Sequence, residues 1–391
     1  MFFENVDFST LALPPAALRL RGEVRAFLKA ELAAGAFTPH LGHTEFNAQF
    51  TRRLGERGWI GMTWPKRYGG RERSYLERFV MTEEMLAAAA PCAAHWFGDR
   101  QTGPSLLKYG SEAQKLRFLP AIARGECYFA LGMSEPGSGS DLASVRTRAE
   151  RVPGGWRVTG QKVWTSWAHK AHAFFVLCRT SPDSGNRHEG LSQLIVELDA
   201  PGVTVRPIRF MNGHHHFNEV FLDGVFVPDE MVVGEIGQGW KQVTSELALE
   251  RSGPERYMTT FPLLVELIRA LGQTPDARAQ EMVGRLAARF WTLRRMSLAI
   301  ALALEPGADA GPGPDLGTEA ALVKDMGTFY EREIIDAARL LAAVEPTPDA
   351  TNTFERYLAE TIVCTPVATI RGGTTQVLRT LIARRLLGPL K

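Results

Sequence analysis

The feature that most constrains the fold of this chain is a change of periodicity that occurs twice. From about residue 14 to 129, apolar positions recur at helix spacing behind helix-start signals. One such signal is Ser111-Glu112-Ala113-Gln114, a capping box in which Ser111 and Gln114 can each satisfy an orphan amide. Between about 130 and 236 the signal becomes that of strands, at 156–159, 173–178, 194–198, 203–208 and 219–227, separated by Gly, Pro, Asn and Asp clusters. After Gly237 and Gly239 the helical period returns and runs to the C-terminus, interrupted at 305–317, where Pro, Gly and Asp predict a solvent loop between helices. Helices, then strands, then helices cannot build the alternating units of a Rossmann sheet, so any dinucleotide must be held another way. The expected architecture is α+β in three parts: a helical N-terminal domain over 1–129, a central β-domain over 130–237 and a C-terminal helical bundle over 238–391.

Composition excludes several function classes. With 391 residues, 45% hydrophobic and 23% charged, the chain can fill two or three cores and is not expected to be disordered. Its 45 Lys and Arg against 43 Asp and Glu leave a net charge of +2, scattered along the chain, which argues against a nucleic-acid partner. The longest apolar runs, at 85–94 and 298–304, are shorter than the roughly 20 residues of a membrane helix, so no membrane partner is expected. Glu4 and Asp7 precede any basic residue, unlike a secretory signal, and a cytoplasmic location is expected. Cys92, Cys127, Cys178 and Cys364 lie far apart without metal-ligand spacing and read as free, buried thiols. The run His214-His-His216 does not read as a metal site either, because consecutive strand residues point to opposite faces.

Two segments carry chemistry. In Leu131-Gly-Met-Ser-Glu-Pro-Gly-Ser-Gly-Ser-Asp141, small residues beside Ser134, Ser138 and Ser140, including Gly139, expose amides and hydroxyls. That suits a phosphate or a flavin edge, and equally a plain Gly-Ser turn. Gly160-Gln-Lys-Val-Trp-Thr-Ser-Trp167 begins as a strand and sets two tryptophans around Thr165 and Ser166. Trp164 and Ser166 on one strand face would give a planar cofactor an aromatic wall and a donor; core packing is the commoner use of a strand tryptophan.

Taken together, 133–141 and 161–166 closely resemble the flavin-binding signatures of acyl-CoA dehydrogenases. Gly58-Trp-Ile-Gly-Met-Thr-Trp-Pro-Lys-Arg-Tyr-Gly-Gly70 resembles that family's N-terminal segment, Phe226-Val-Pro-Asp229 the end of its β-domain, and Gly372-Gly-Thr-Thr-Gln-Val-Leu-Arg379 its C-terminal flavin motif. The resemblance implies FAD as cofactor, an acyl-CoA substrate, an electron-transfer flavoprotein as acceptor and a place in fatty acid metabolism. It assigns the Met133 backbone and the Ser134 hydroxyl to the pyrimidine side of the isoalloxazine, with Leu131, Gly139 and Thr165 in the same cofactor-binding segments. Trp164 would cover the ring and Ser166 lie near N5, while Ser140 would serve the cofactor phosphate and the CoA portion. Thr374, Thr375 and Gln376 open the last helix, where free amides favour the phosphate of a neighbouring subunit's FAD. A homotetramer or dimer is implied, with a hetero-oligomer as the variant.

Desaturation needs a carboxylate that removes the α-proton and donors that hold the thioester oxygen. Many family members carry that glutamate just before the Gly-Thr of the C-terminal motif, where this chain has Gly372. The Gly372 amide is left as a donor, with Gly373 and Arg251 as further substrate contacts. Trp240, Val243, Leu247 and Glu250 recur at helix spacing, which sets a carboxylate at the edge of an apolar stripe beside Arg251. Desolvation there would raise the pKa of Glu250 and Arg251 would lower it. Leu247-Ala-Leu-Glu-Arg251 resembles the base-bearing segment of isovaleryl-CoA and long-chain acyl-CoA dehydrogenases, which implies Glu250 as the catalytic base; a structural Glu-Arg pair is the plainer use. Arg371, beside the vacant position, could meet a polar or carboxylated acyl tail, but is expected at the solvent face. The region after Arg251 lacks the family's Arg-x-x-Phe-Gly, and 340–346 replaces its glycine-rich adenine-pocket stretch. Two other functions suit the fold: a flavin monooxygenase, and a non-catalytic subunit that completes its neighbour's FAD site.

Overall fold

The computed structural model describes residues 12–39, 45–182, 185–305, 316–342, 344–347 and 349–388, without the side chains of 246–250. Six helices come first: α1 (Pro15–Ala33), α2 (Ala48–Glu56), α3 (Tyr75–Ala87), α4 (Ala93–Phe97), α5 (Gly103–Tyr109) and α6 (Glu112–Ala123). The strands follow as β1 (Phe129–Gly132), β2 (Arg148–Val152), β3 (Gly155–Ser166), β4 (Ala173–Arg179), β5 (Leu191–Glu197), β6 (Val203–Arg209) and β7 (His215–Pro228). Then come α7 (Gly239–Glu250), α8 (Phe261–Leu271), α9 (Ala277–Ala303), α10 (Gly317–Leu341), α11 (Thr353–Cys364) and α12 (Thr375–Leu387). The order expected from periodicity, helices then strands then helices, is the order found.

The chain forms two compact units, one of residues 46–72 and 93–247 and one of residues 1–45, 73–92 and 248–391. The first holds the sheet, in the order β1-β4-β2-β3-β7-β6 with β5 on β4. The β2/β3, β3/β7, β6/β7 and β4/β5 pairs are antiparallel, while β1 runs parallel to β4 along 129–132. That is not a Rossmann sheet. In β4 every residue from Ala173 to Cys178 is buried, which explains an unbroken apolar run in place of alternation. All five expected strands are present. Sequence reading missed β1 and β2; the polar β2 would have been betrayed by Pro153-Gly154, the two-residue turn through which it pairs with β3.

The helical expectation over 14–129 breaks at 58–73, where Gly and Pro leave only a short 3-10 turn over Lys66–Tyr68. A β-carbon on Gly70 would come within 2.0 Å of the Trp64 carbonyl oxygen, a close approach that only glycine permits. A second break is a π-helical turn over Gly98–Thr102 between α4 and α5. The capping box of α6 forms as read: Ser111 Oγ accepts from the Gln114 amide at 3.2 Å, and Gln114 Oε1 accepts from the Ser111 amide at 3.1 Å. Gln114 Nε2 also donates to the carbonyls of Glu230 and Val232, each at 2.7 Å, and so ties α6 to the chain leaving β7.

The second unit is helical. Ala17 of α1 packs on Phe79 and Val80 of α3 and on Leu298 of α9. Buried Glu83 and Glu84 are met by Arg21 at 2.9 Å and Arg25 at 2.7 Å, and Arg294 also pairs with Glu83. Residues 306–315 of the expected loop lie outside the described residues, and Gly317 opens α10. Of the four thiols expected to be buried, Cys92 and Cys178 are, whereas Cys127 and Cys364 are half-buried. All four are free, and burial pushes the Cys127 and Cys364 thiols up to about 11. Among the described residues no helix is long and apolar enough to cross a membrane.

Candidate active site

The residues singled out in the sequence fall into two groups, one in each unit. In the sheet unit, the glycine-serine run leaves β1 after Gly132 and turns at once, with Glu135 and Ser138 exchanging backbone hydrogen bonds of 2.8 and 3.0 Å. Met133 and Ser134 are half-buried; Gly139 and Ser140 are exposed. A β-carbon on Gly137 or Gly139 would meet nothing within 4 Å, so the run presents bare backbone to its surroundings. Beneath it, the fully buried Lys162 ammonium donates to Glu135 at 2.8 Å and to the Met133 carbonyl at 3.1 Å. Burial alone would raise the Glu135 carboxyl, but Lys162 and the hydrogen bonds from Thr147 and Arg146 outweigh it and hold the group below its ordinary range.

β3 carries the second motif across a break in its pairing with β7. Lys162 opposes Val220 and Thr165 opposes Asn218, so two residues of β3 face one of β7 in a β-bulge. Trp164 sits in this bulge at φ +60°, a conformation rare for a bulky side chain, and the residue is 57% exposed. Thr165 is fully buried, and Ser166 is half-buried at the end of the strand. The bulge has its own anchor in Asn218, whose Nδ2 donates to the Thr165 carbonyl at 3.0 Å. Its Oδ1 therefore accepts, from His169 Nδ1 at 3.1 Å and His215 Nε2 at 2.7 Å, which assigns the proton on each ring. Burial, helped by His215 and Lys170, drives the His169 pKa down to about 4. His216 instead stacks on Trp167 with ring centroids 5.0 Å apart, so His215 and His216 turn to different partners. Lys162, Glu135, Asn218 and His169 were not singled out in the sequence; the available signal was a lysine directly before Val163 and Trp164 in a strand.

In the helical unit, the loop before α12 takes left-handed conformations at Gly372 (φ +65°) and Gly373 (φ +94°). The carbonyl of Gly372 accepts from Arg251 Nε at 3.0 Å, and a β-carbon on Gly372 would lie 3.2 Å from the Arg256 guanidinium. Arg251 and Arg256 are both buried. Lys324 of α10, also buried, donates to the carbonyls of Ala368 and Gly373 at 2.9 and 3.0 Å and holds the loop from below. Glu331, two α10 turns further on, accepts from the Thr259 amide at 2.7 Å. Its burial raises the carboxyl pKa, against the hydrogen bonds of Thr259 and the charges of Arg371 and Arg256. Arg371, expected at the solvent face, is thus half-buried and acts on an interior carboxylate. Thr374 caps α12 by accepting from the Val377 amide at 3.3 Å, and Thr375 and Gln376 form its first turn. Glu250 is the last residue of α7; its side chain lies outside the described residues. On the stripe expected for α7, Val243 is buried beside Val145, Leu177 and Leu191, with Trp240 packed against them.

Comparison with known proteins agrees with this layout. Residues 14–126 match the description "Acyl-CoA dehydrogenase, N-terminal domain", and residues 130–225 match "Acyl-CoA dehydrogenase, middle domain". Acyl-CoA dehydrogenase FadE34 of Mycobacterium tuberculosis is 37% identical over 344 residues, 86% of this chain and 45% of FadE34, so the chain spans under half the length of that relative. Acyl-CoA dehydrogenase IpdE1 of the same organism is 35% identical over 382 residues, which cover 94% of this chain and 96% of IpdE1. Among solved structures, the Tcur3481-Tcur3483 steroid ACAD superposes with a TM-score of 0.84 at 30% identity, over 98% of this chain and 100% of that one. The chain therefore belongs to the acyl-CoA dehydrogenase family of flavoprotein oxidoreductases.

Proposed function

We propose that the chain converts an acyl-CoA, or a related pantetheine thioester, to its trans-2-enoyl thioester, with FAD as cofactor and Glu250 as the base that removes the α-proton. The observation that carries the assignment of the base is the hydrogen bond from Arg251 Nε to the Gly372 carbonyl. Glu250 precedes Arg251 in the chain, so the end of α7 meets the loop in which other family members carry their glutamate. The loop itself is a poor place for that glutamate, because a side chain on Gly372 would require a left-handed residue and crowd Arg256.

FAD suits the residues of the sheet unit on two counts: the exposed Trp164 ring offers a wall for a planar group, and the open backbone at Gly137 and Gly139 admits close approach. When bound, it would accept the β-hydride at N5. Around it, Met133 and Ser134 are assigned to the pyrimidine side, with Leu131, Gly139 and Thr165 in the same segments, Trp164 to the ring face, and Ser166 to the N5 edge. Ser140 is assigned to the phosphate and the CoA portion. Thr374, Thr375 and Gln376, at the start of α12, are assigned to the phosphate of a neighbouring subunit's FAD, in a homotetramer. The Gly372 amide, with Gly373, is assigned to the thioester oxygen, and electrons pass to a separate electron-transfer flavoprotein.

The test is the visible spectrum of the purified chain titrated with a panel of acyl-CoAs. Wild type should bleach with its substrate, while Glu250→Gln should stay yellow and fail to bleach; bleaching at the wild-type rate by the variant would refute the base. A second reading, a subunit that completes a neighbour's site in a hetero-oligomer, draws support from the two protein names joined in the Tcur3481-Tcur3483 steroid ACAD. A colourless chain that takes up no FAD alone would select it.

A further inference from the structure

Lys162 has no part in the proposed reaction, yet its ammonium is fully buried within a strand, where a lysine is rarely found without a partner. Its two contacts reach Met133 and Glu135, and between them the amide of the next residue, Val163, donates to the Ser134 carbonyl at 3.0 Å. Three consecutive residues of the glycine-serine run are thus gripped by two consecutive residues of β3. Glu135 extends the grip, since its carboxylate accepts from the amides of Arg146 at 2.6 Å and Thr147 at 2.9 Å, just before β2 begins. The bulge bearing Trp164 starts immediately after Lys162 and includes Val163.

We propose that the buried Lys162–Glu135 pair is a positioning device, which locks Met133 and Ser134 to the root of the Trp164 bulge so that the two flavin-binding segments are presented as one rigid surface. The inference rests on the FAD reading above and goes beyond it by giving a role to two residues that need not touch cofactor or substrate. Preorganisation of this kind lowers the cost of ordering a loop at the moment of binding. A pair that served only the fold would behave differently, because replacing both partners of a buried ion pair by neutral groups is often tolerated, whereas removing one is not.

The experiment uses the full chain and compares Lys162→Met, the double variant Lys162→Met with Glu135→Gln, and Lys162→Arg. Lys162→Met strands a buried carboxylate and should lower the thermal midpoint; adding Glu135→Gln removes the stranded charge and keeps an acceptor oxygen for one of the Arg146 and Thr147 amides, which bond to different carboxylate oxygens, and should recover part of it. Although refolded, the double variant should bind FAD at least tenfold more weakly, with a shifted flavin spectrum and midpoint potential, and Lys162→Arg should recover part of the affinity. Wild-type affinity, spectrum and potential in the double variant would overturn the inference. Weaker binding with an unchanged spectrum and potential would overturn it too, since that is the mark of a merely looser protein. If the double variant does not fold, Glu135→Asp decides, because it keeps the charge but withdraws it by one methylene: several-fold weaker FAD binding supports the device, and unchanged binding overturns it. A wild-type chain that takes up no FAD would sink the FAD reading itself, and this inference with it.

Discussion

At Gly372 a single missing side chain shapes the local chemistry. Because its φ of +65° penalises any β-carbon, Gly372→Ala is expected to lower the unfolding free energy by about 1–2 kcal/mol in urea titrations; an unchanged midpoint would mean that the loop adapts freely. His169 makes a prediction about pH. Its ring lies 3.8 Å from that of His215 and is held neutral, with a pKa of about 4, mainly by burial. The unfolded chain takes up that proton near pH 6.5, so the stability due to the neutral ring is complete above about 6.5 and is lost as pH falls towards 4. Unfolding free energy should therefore fall more steeply for wild type than for His169→Gln across that window, and parallel curves would contradict the assignment. Neither residue's setting was readable beforehand. The vacancy at Gly372 was plain from its motif, but the guanidinium beside it comes from Arg256, and His215, which adds to the effect of burial on His169, comes from β7.

Local chemistry and long-range contact meet in α6. Ser111→Ala should cost about 1 kcal/mol, the usual value of a lost N-cap. Gln114→Ala should cost more, about 2–3 kcal/mol, because it also strands the carbonyls of Glu230 and Val232. Equal costs in the two variants, measured by chemical denaturation, would show that the tether contributes nothing. The cap was legible as Ser-x-x-Gln, since its partners stand three residues apart. The tether was not, because they are 116 and 118 residues away. β3 gives the same lesson: its strand signal was clear, but strict alternation sets Lys162 and Trp164 on one face, whereas the bulge buries Lys162 and turns the Trp164 ring outward.

For the whole molecule, the proposed tetramer predicts that light scattering of the purified yellow chain returns about four times its 43.2 kDa mass; a colourless monomer would argue for a separate partner chain. The two compact units are not contiguous in sequence: residues 73–92 join 248–391, and 46–72 join the sheet. By itself the sequence determined the succession of helices, strands and helices, the caps, and the family, because periodicity, capping and motif are written within a few neighbouring residues. Only tertiary structure decided that Lys162 grips Glu135 across 27 residues, that Asn218 pins the bulge from another strand, and that Arg251 reaches Gly372 across 121. Those contacts depend on which elements pack together, and a buried charge or carbonyl takes whatever partner the fold brings within about 3 Å of it.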